Sequence, residues 1–410
     1  MPAQEPERPG GAHREWLLER LGHYLGRPVD DAVPLSEYGL DSVAALSLYG
    51  DIEEEFGPLI DLDDIRAYPT VRELARHMVL RDVRRSGAHR ARAAFVFTGQ
   101  GSQYPGMTSA LYLDSATYRA HLDEIAGALT PYLGLSVVDL VLSEDPRVHR
   151  TAYTQPALFA VEYALARTLE SAGVVPVAVL GHGIGEFAAA TVAGALNAAD
   201  AAKLIAMRGA FMQYLPSGGG MMAACVSPYE IAELVVGEPG VGISAVNAAR
   251  ATVLSGEVAG LERIEAELAG RGITCRHLPV SHAFNSPLME PVVPKFEAVA
   301  RRVPAGTPRV PFYSTVLGRL ATEPLYASYW TEQLTAPIRF ADAARGMFAQ
   351  QTPTHVVEIG PRPVLCPYLR RMGGPVCIPM CPRPDADAVD LAGVISALGA
   401  GPLAAELAGA

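Results

Sequence analysis

The chain has 410 residues, half of them hydrophobic, and a formal net charge of −11. That length calls for two or three cores rather than one, and the acidic balance argues against a general nucleic-acid binder. No apolar run reaches ~18 uninterrupted residues, so no membrane helix is expected; the polar start MPAQEPERPGG lacks the apolar stretch of a signal peptide.

Helical patterns fill the N-terminal part. Trp16, Leu17, Leu21 and Tyr24 share one face of a first helix. A second begins after Tyr38-Gly39-Leu40, with Asp41 suited to the N-cap and Ser42 to the first position. Val43, Leu46, Tyr49, Ile52 and Phe56 form its apolar repeat, and Asp51, Glu53, Glu54 and Glu55 its acidic side. A third short helix runs through TVRELARHMVLR. Ser42 stands where free N–H groups and the helix dipole favour a phosphate; position alone is better explained by a serine that simply extends the cap.

The motif Gly39-Leu40-Asp41-Ser42, the acidic second helix and the short third helix resemble the acyl carrier protein family over residues 14–81. The resemblance implies a 4'-phosphopantetheine arm on Ser42, installed by a phosphopantetheinyl transferase, whose thiol holds acyl groups as thioesters. It also implies an acidic face that docks basic patches on partner enzymes.

A basic, Gly-containing stretch reads as a linker over 82–92. Beyond it, β-rich runs alternate with Ala-rich helices, predicting an α/β domain over 93–385; residues 386–410 read as a tail. Phe95-Val96-Phe97 is a strand leading into Gly99-Gln100-Gly101-Ser102-Gln103, a turn suited to half of an oxyanion hole. Val177 to Leu180 is a strand running into Gly181-His182-Gly183-Ile184-Gly185-Glu186 and a helix. Strand, tight turn and helix make a nucleophile elbow, usually G-x-S-x-G; its central position here is Gly183, which can make the turn but has nothing to attack with.

On the next helix Leu204, Arg208, Phe211 and Leu215 share a face, so Arg208 is expected to be part-buried. A buried guanidinium needs a carboxylate, internal or from a ligand. Residues 221–280 read as strand, helix, strand, strand, helix, strand, a ferredoxin-like unit inserted into the larger fold. The chain returns at Ser281-His282-Ala283-Phe284-Asn285-Ser286.

GQGSQ, the elbow, MRGAFMQ, the insert, HAFNS, Pro311-Phe312-Tyr313-Ser314, Tyr329-Trp330 and Glu358-Ile359-Gly360-Pro361 occur in order over about residues 93–380. Together they resemble the malonyl-CoA:acyl carrier protein transacylase family, most closely the acyltransferase domains of modular polyketide synthases. The resemblance implies an α/β-hydrolase-like large subdomain with a ferredoxin-like small subdomain. It implies ping-pong transfer of an acyl group from coenzyme A through a serine, with a histidine base. Gln100 matches the oxyanion-hole position and Arg208 the carboxylate clamp. Phe284 and Ile184 match malonyl-selecting versions of their motifs. The nucleophile position is Gly183 and the base position Asn285, so both reacting groups are replaced.

Loss of such a pair costs about 10⁶ in kcat, roughly 8 kcal/mol of transition-state stabilisation. His282 and His182 are the nearest substitutes, but loop and packing roles suit them better, because a replacement base would need new geometry. Cys225 is expected on a core strand, buried and inert. The five cysteines, Cys225, Cys275, Cys366, Cys377 and Cys381, form no disulfide framework and suit the reducing cytoplasm. No metal site is expected at Cys377 and Cys381, which lack neighbours at ligand spacing.

Three readings follow. The first is a carrier joined to a pseudo-acyltransferase. The second is a repurposed enzyme acting on a malonyl-type thioester without a serine nucleophile. The third is an inactivated variant of a malonyl-type acyltransferase, though alanine rather than glycine is the usual inactivating choice.

Overall fold

In the computed structural model the chain divides into two units, Met1–Arg90 and Ala91–Ala410. The structure describes residues 11–40, 42–57, 59–62, 64–75, 77–78, 91–216, 218–381 and 391–399.

The first unit contains α1 (Gly11–Leu25), α2 (Ser42–Phe56) and α3 (Asp64–Ala67), and residues 71–75 and 77–78 are also helical. Leu17 and Leu21 of α1, one turn apart, are fully buried against Leu48 and Ile52 of α2, Ile65, Val71, Leu74 and Met78. Leu46 was expected in that apolar face but is 57% exposed. It lies two residues, about 200°, from Leu48, so a helix that buries Leu48 must turn Leu46 to water. Glu53, Glu54 and Glu55 are exposed. The carboxylate of Asp31 receives Arg72 at 2.7 Å and Arg14 at 2.5 Å, which holds it below the usual carboxylate range. The proposed Asp41 cap lies outside the described residues.

The second unit begins with β1 (Ala93–Phe97), five buried apolar residues in a row, the pattern of a strand covered on both faces. Helix α4 (Ala116–Leu133) starts at Ser115, whose side chain accepts from the Tyr118 N–H. There follow α5 (Thr151–Ser171), β2 (Ala178–Gly181), α6 (Gly185–Val192) and α7 (Ala198–Gln213). The chain then builds β3 (Gly219–Ala224), α8 (Pro228–Val236), β4 (Val241–Ala248), β5 (Ala251–Glu257), α9 (Val258–Gly270) and β6 (Cys275–His277). It returns through β7 (Phe312–Ser314), β8 (Arg319–Leu320), α10 (Ala327–Thr335) and α11 (Phe340–Gln351). It closes with β9 (His355–Ile359), α12 (Cys366–Arg371), β10 (Val376–Pro379) and α13 (Leu391–Ala397).

The larger sheet has the order β10-β9-β1-β2-β7-β8, parallel except for β8. Phe97 at the end of β1 is in register with Gly181 of β2 on one side and Ile359 of β9 on the other. The loops leaving three parallel strands therefore meet at one edge, where open α/β sheets bind ligands. The smaller sheet, β4-β5-β3-β6, is antiparallel throughout and has its own core of Met222, Ile231, Leu254, Leu261 and Ile264. It is stitched to the larger part where Ile338 N–H donates to Ser244 at 2.8 Å and Val246 N–H donates to Ile338 at 2.9 Å.

Several expected boundaries shift. Arg92, assigned to the 82–92 linker, donates its N–H to Thr354 Oγ1 at 2.9 Å and belongs to the second unit. The inserted sheet starts at Gly219, two residues before 221. Residues 391–398 are not a free tail: Leu391, Val394, Ile395 and Leu398 are buried in the main core. Cys225 is exposed rather than buried, because β3 ends at Ala224 and Cys225 leaves the strand. Among the described residues no helix is long and apolar enough to cross a membrane.

Candidate active site

The turn after β2 is built by close approach. A Cβ on Gly185 would stand 2.3 Å from the Thr98 carbonyl oxygen, so only glycine lets α6 begin this near β1. Gly183 at the apex has φ +56°, a left-handed conformation that costs glycine little. A Cβ there would meet only Ile338 Cδ1, at 3.3 Å, the far end of a flexible side chain. The elbow is thus present in backbone form, with room for a side chain it does not carry.

Gln333, 2% exposed, donates Nε2 to the Gly183 carbonyl at 2.6 Å. Asn285, also left-handed at φ +52°, donates Nδ2 to the main-chain carbonyls of Ala336 at 2.9 Å and Gln333 at 3.2 Å. Two carbonyl acceptors fix the orientation of that amide. Position 285 is therefore held beside the elbow through Gln333, but its side chain is an amide that takes no proton at neutral pH.

The two histidines are occupied. His282 Nε2 faces the Leu215 carbonyl at 3.1 Å and must donate; its Nδ1 contacts Ser281 Oγ at 2.8 Å, which contacts Thr151 Oγ1 at 3.0 Å. His182 Nε2 contacts Asn247 Oδ1 on β4 at 2.8 Å, its ring packs on Phe340, and desolvation lowers its pKa. Its Nδ1 lies close to Gly99, where a Cβ would approach it to 3.0 Å.

Arg208 on α7 is 2% exposed, and its Nε has no hydrogen-bond partner. Desolvation lowers its pKa to about 9, with Glu186 acting through space in the opposite sense. No carboxylate forms an ion pair with it among the described residues. Glu186, first-turn residue of α6, is fully buried; its Oε1 accepts from the Thr315 N–H at 2.6 Å and from Tyr329 Oη at 3.0 Å, while Oε2 has no partner. Burial pushes its pKa up to about 7. Gln100 Oε1 lies 3.5 Å from Gln155 Nε2, at the limit of a hydrogen bond. Ile184 and Phe284 are buried, and Ser244 Oγ on β4 donates to the Phe284 carbonyl at 3.1 Å. Gly183, Asn285, Ile184 and His182 are thus linked around the elbow. His282 is tied instead to Leu215 and Ser281.

Residues 94–375 match the acyl transferase domain family, and residues 15–78 match the phosphopantetheine attachment site family. The chain belongs to the acyl transferase domain family. Its first unit is a phosphopantetheine-binding carrier domain, of the kind that bears the cofactor covalently. The chain is 43% identical over 284 residues to the polyketide synthase GfsA of Streptomyces halstedii, covering 67% of this chain and 4% of that protein. Among solved structures it is similar to the acyltransferase domain from the second module of the salinomycin polyketide synthase: 39% identity, TM-score 0.69, 73% of this chain and 71% of that one. It is also similar to a loading acyltransferase from the avermectin modular polyketide synthase, with 32% identity, TM-score 0.70, and coverage of 75% and 100%. The chain is therefore a polyketide-synthase-type carrier domain joined to an acyltransferase domain.

Three residues of the acyltransferase domain escape sequence reasoning. Gln333 bridges Gly183 and Asn285 from α10, far along the chain. Asn247 reaches His182 from the smaller sheet. Glu186 adjoins the elbow, and its position in a buried first turn is the one signal that singles it out.

Proposed function

We propose that this chain presents acyl groups on Ser42 and binds carboxylated acyl thioesters in its acyltransferase domain without transferring them. The observation that carries the reading is the elbow itself: its apex is Gly183, and the neighbouring base position is Asn285, hydrogen-bonded to two carbonyls. An amide and a hydrogen atom cannot supply the attacking group and the proton acceptor that acyl transfer needs.

Ser42 opens α2, one turn further on Leu46 is an exposed apolar side chain, and toward the other end of the same helix Glu53, Glu54 and Glu55 are exposed. A serine at a helix start with an apolar foothold and an acidic flank fits a phosphopantetheine arm and basic partner enzymes. The group, when attached by a phosphopantetheinyl transferase, supplies a thiol that holds acyl chains as thioesters. In the second unit, which we read as an α/β-hydrolase-like part with a ferredoxin-like insert, Arg208 is the group that would receive a ligand carboxylate. It is buried, cationic at neutral pH and without an ion-pair partner among the described residues. Ile184 and Phe284 would shape the pocket for a malonyl-type chain, and Gln100 keeps the oxyanion-side position. The partners would be acyl thioesters and other polyketide synthase enzymes.

Repurposed catalysis is the second reading. Its candidate bases are His282 and His182, and the hydrogen bonds of both rings weigh against it.

Intact-mass spectrometry of the phosphopantetheinylated chain with malonyl-CoA tests the proposal. The expected result is no acyl mass on the carrier or on the acyltransferase domain. Acyl transfer above that of the isolated carrier domain would overturn it.

A further inference from the structure

Behind the HAFNS loop lies a groove that the acyl-binding reading does not use. It forms where the chain crosses between the two sheets. Leu215 and Pro216 run toward β3, the start of α9 contributes Glu257 and Val258, and the returning turn contributes Leu288 and Glu290. The cavity measures about 620 Å³ and opens to solvent.

Its walls are unusual in two ways. Val258 and Leu288 are 41% and 37% exposed, and Tyr214, next to Leu215, is 88% exposed, so apolar side chains cluster in water. Glu257 and Glu290 are both exposed, and neither has an ion pair among the described residues. Elsewhere on the smaller sheet and its helices Glu230, Glu238 and Glu267 each hold an arginine at 2.6–2.9 Å. The groove thus carries two exposed carboxylates without an ion pair among the described residues, beside apolar side chains. An exposed aromatic beside such side chains is also the composition of an interface centre.

We infer that this groove docks a basic amphipathic segment of a partner polypeptide, with apolar side chains against Leu215, Val258 and Leu288 and cations on Glu257 and Glu290. Charge decides the class of occupant: an acidic helix would meet two carboxylates of its own sign, and an uncharged apolar ligand would leave them unused.

The test is fluorescence anisotropy on the full chain with a labelled amphipathic peptide carrying Leu on one face and Arg on the other. Versions with Glu or Gln in place of Arg run beside it. The Arg peptide is expected to bind at least about tenfold more tightly than the Glu peptide, and to weaken as ionic strength rises from about 0.05 M to about 0.3 M. The surface double variant Glu257→Lys/Glu290→Lys should invert the preference, and Leu288→Asp should weaken all three peptides. No binding, equal binding of the Arg and Glu peptides, or unchanged preference in the double variant would overturn the inference. So would sedimentation showing that the groove mutations abolish self-association instead. None of these outcomes bears on acyl binding at Arg208, which malonyl-thioester binding reads separately.

Discussion

The side-chain amide of Asn285 donates to the main-chain carbonyl of Gln333, whose own side chain donates to the Gly183 carbonyl. The elbow apex and position 285 are thus coupled through one buried glutamine.

On the proposed reading, serine at 183 and histidine at 285 should confer acyl transfer. Gly183 already has the apex conformation, and a serine Cβ would meet only the tip of Ile338. Gly183→Ser/Asn285→His is expected to acylate from malonyl-CoA, with Gly183→Ser alone slower by roughly 10³–10⁶. Burst acylation seen by mass spectrometry checks it. A double variant that gains no acylation over the original chain would contradict the proposed roles of positions 183 and 285.

Removing Gln333 should loosen the elbow. Gln333→Leu deletes a buried hydrogen bond and leaves the Gly183 carbonyl with only the Glu186 N–H at 3.1 Å, which costs about 1 kcal/mol. Thermal unfolding measures this, and a Tm within error of the original chain would contradict the bridging role.

Arg208 separates ligand binding from packing. Among the described residues Arg208 forms no ion pair, its Nε has no hydrogen-bond partner, and Glu186 acts on it only through space. Arg208→Met is expected to keep or raise the Tm while abolishing any preference for malonyl over acetyl thioesters in calorimetric titration. A large fall in Tm with the preference intact would assign Arg208 to the scaffold.

Glu186 predicts a pH dependence. Its folded pKa is raised from 4.5 to about 7, so the unfolded chain releases this proton first as pH rises. Its contribution is fully present below about pH 4.5 and is lost as pH rises toward 7, a change of about 3 kcal/mol. Glu186→Gln should flatten the stability profile across that window. Parallel denaturation curves for the two proteins from pH 4.5 to 7 would contradict the assignment.

Much of this was legible in the residue order. Period-four leucines announced Leu17 and Leu21, and Phe95-Val96-Phe97 announced the strand that became β1. The elbow was readable because glycines at 181, 183 and 185 leave few alternatives to a tight turn. What sequence could not give were contacts between distant segments: Gln333 lies 150 residues from Gly183, and Asn247 lies 65 from His182. Exposure at element ends was equally hidden. Cys225 looked like strand interior but falls just past it, and Leu46 fits an apolar repeat that the helix turns outward.

The N–H of Ala91 donates to the Leu398 carbonyl at 3.4 Å, and the helix ending there is sunk in the core. Residues 91 and 398 of the second unit therefore lie side by side. A segment with adjoining ends can be lifted from one polypeptide and set into another with short joints on both sides. A segment bounded there would pass between polypeptides without rebuilding what flanks it.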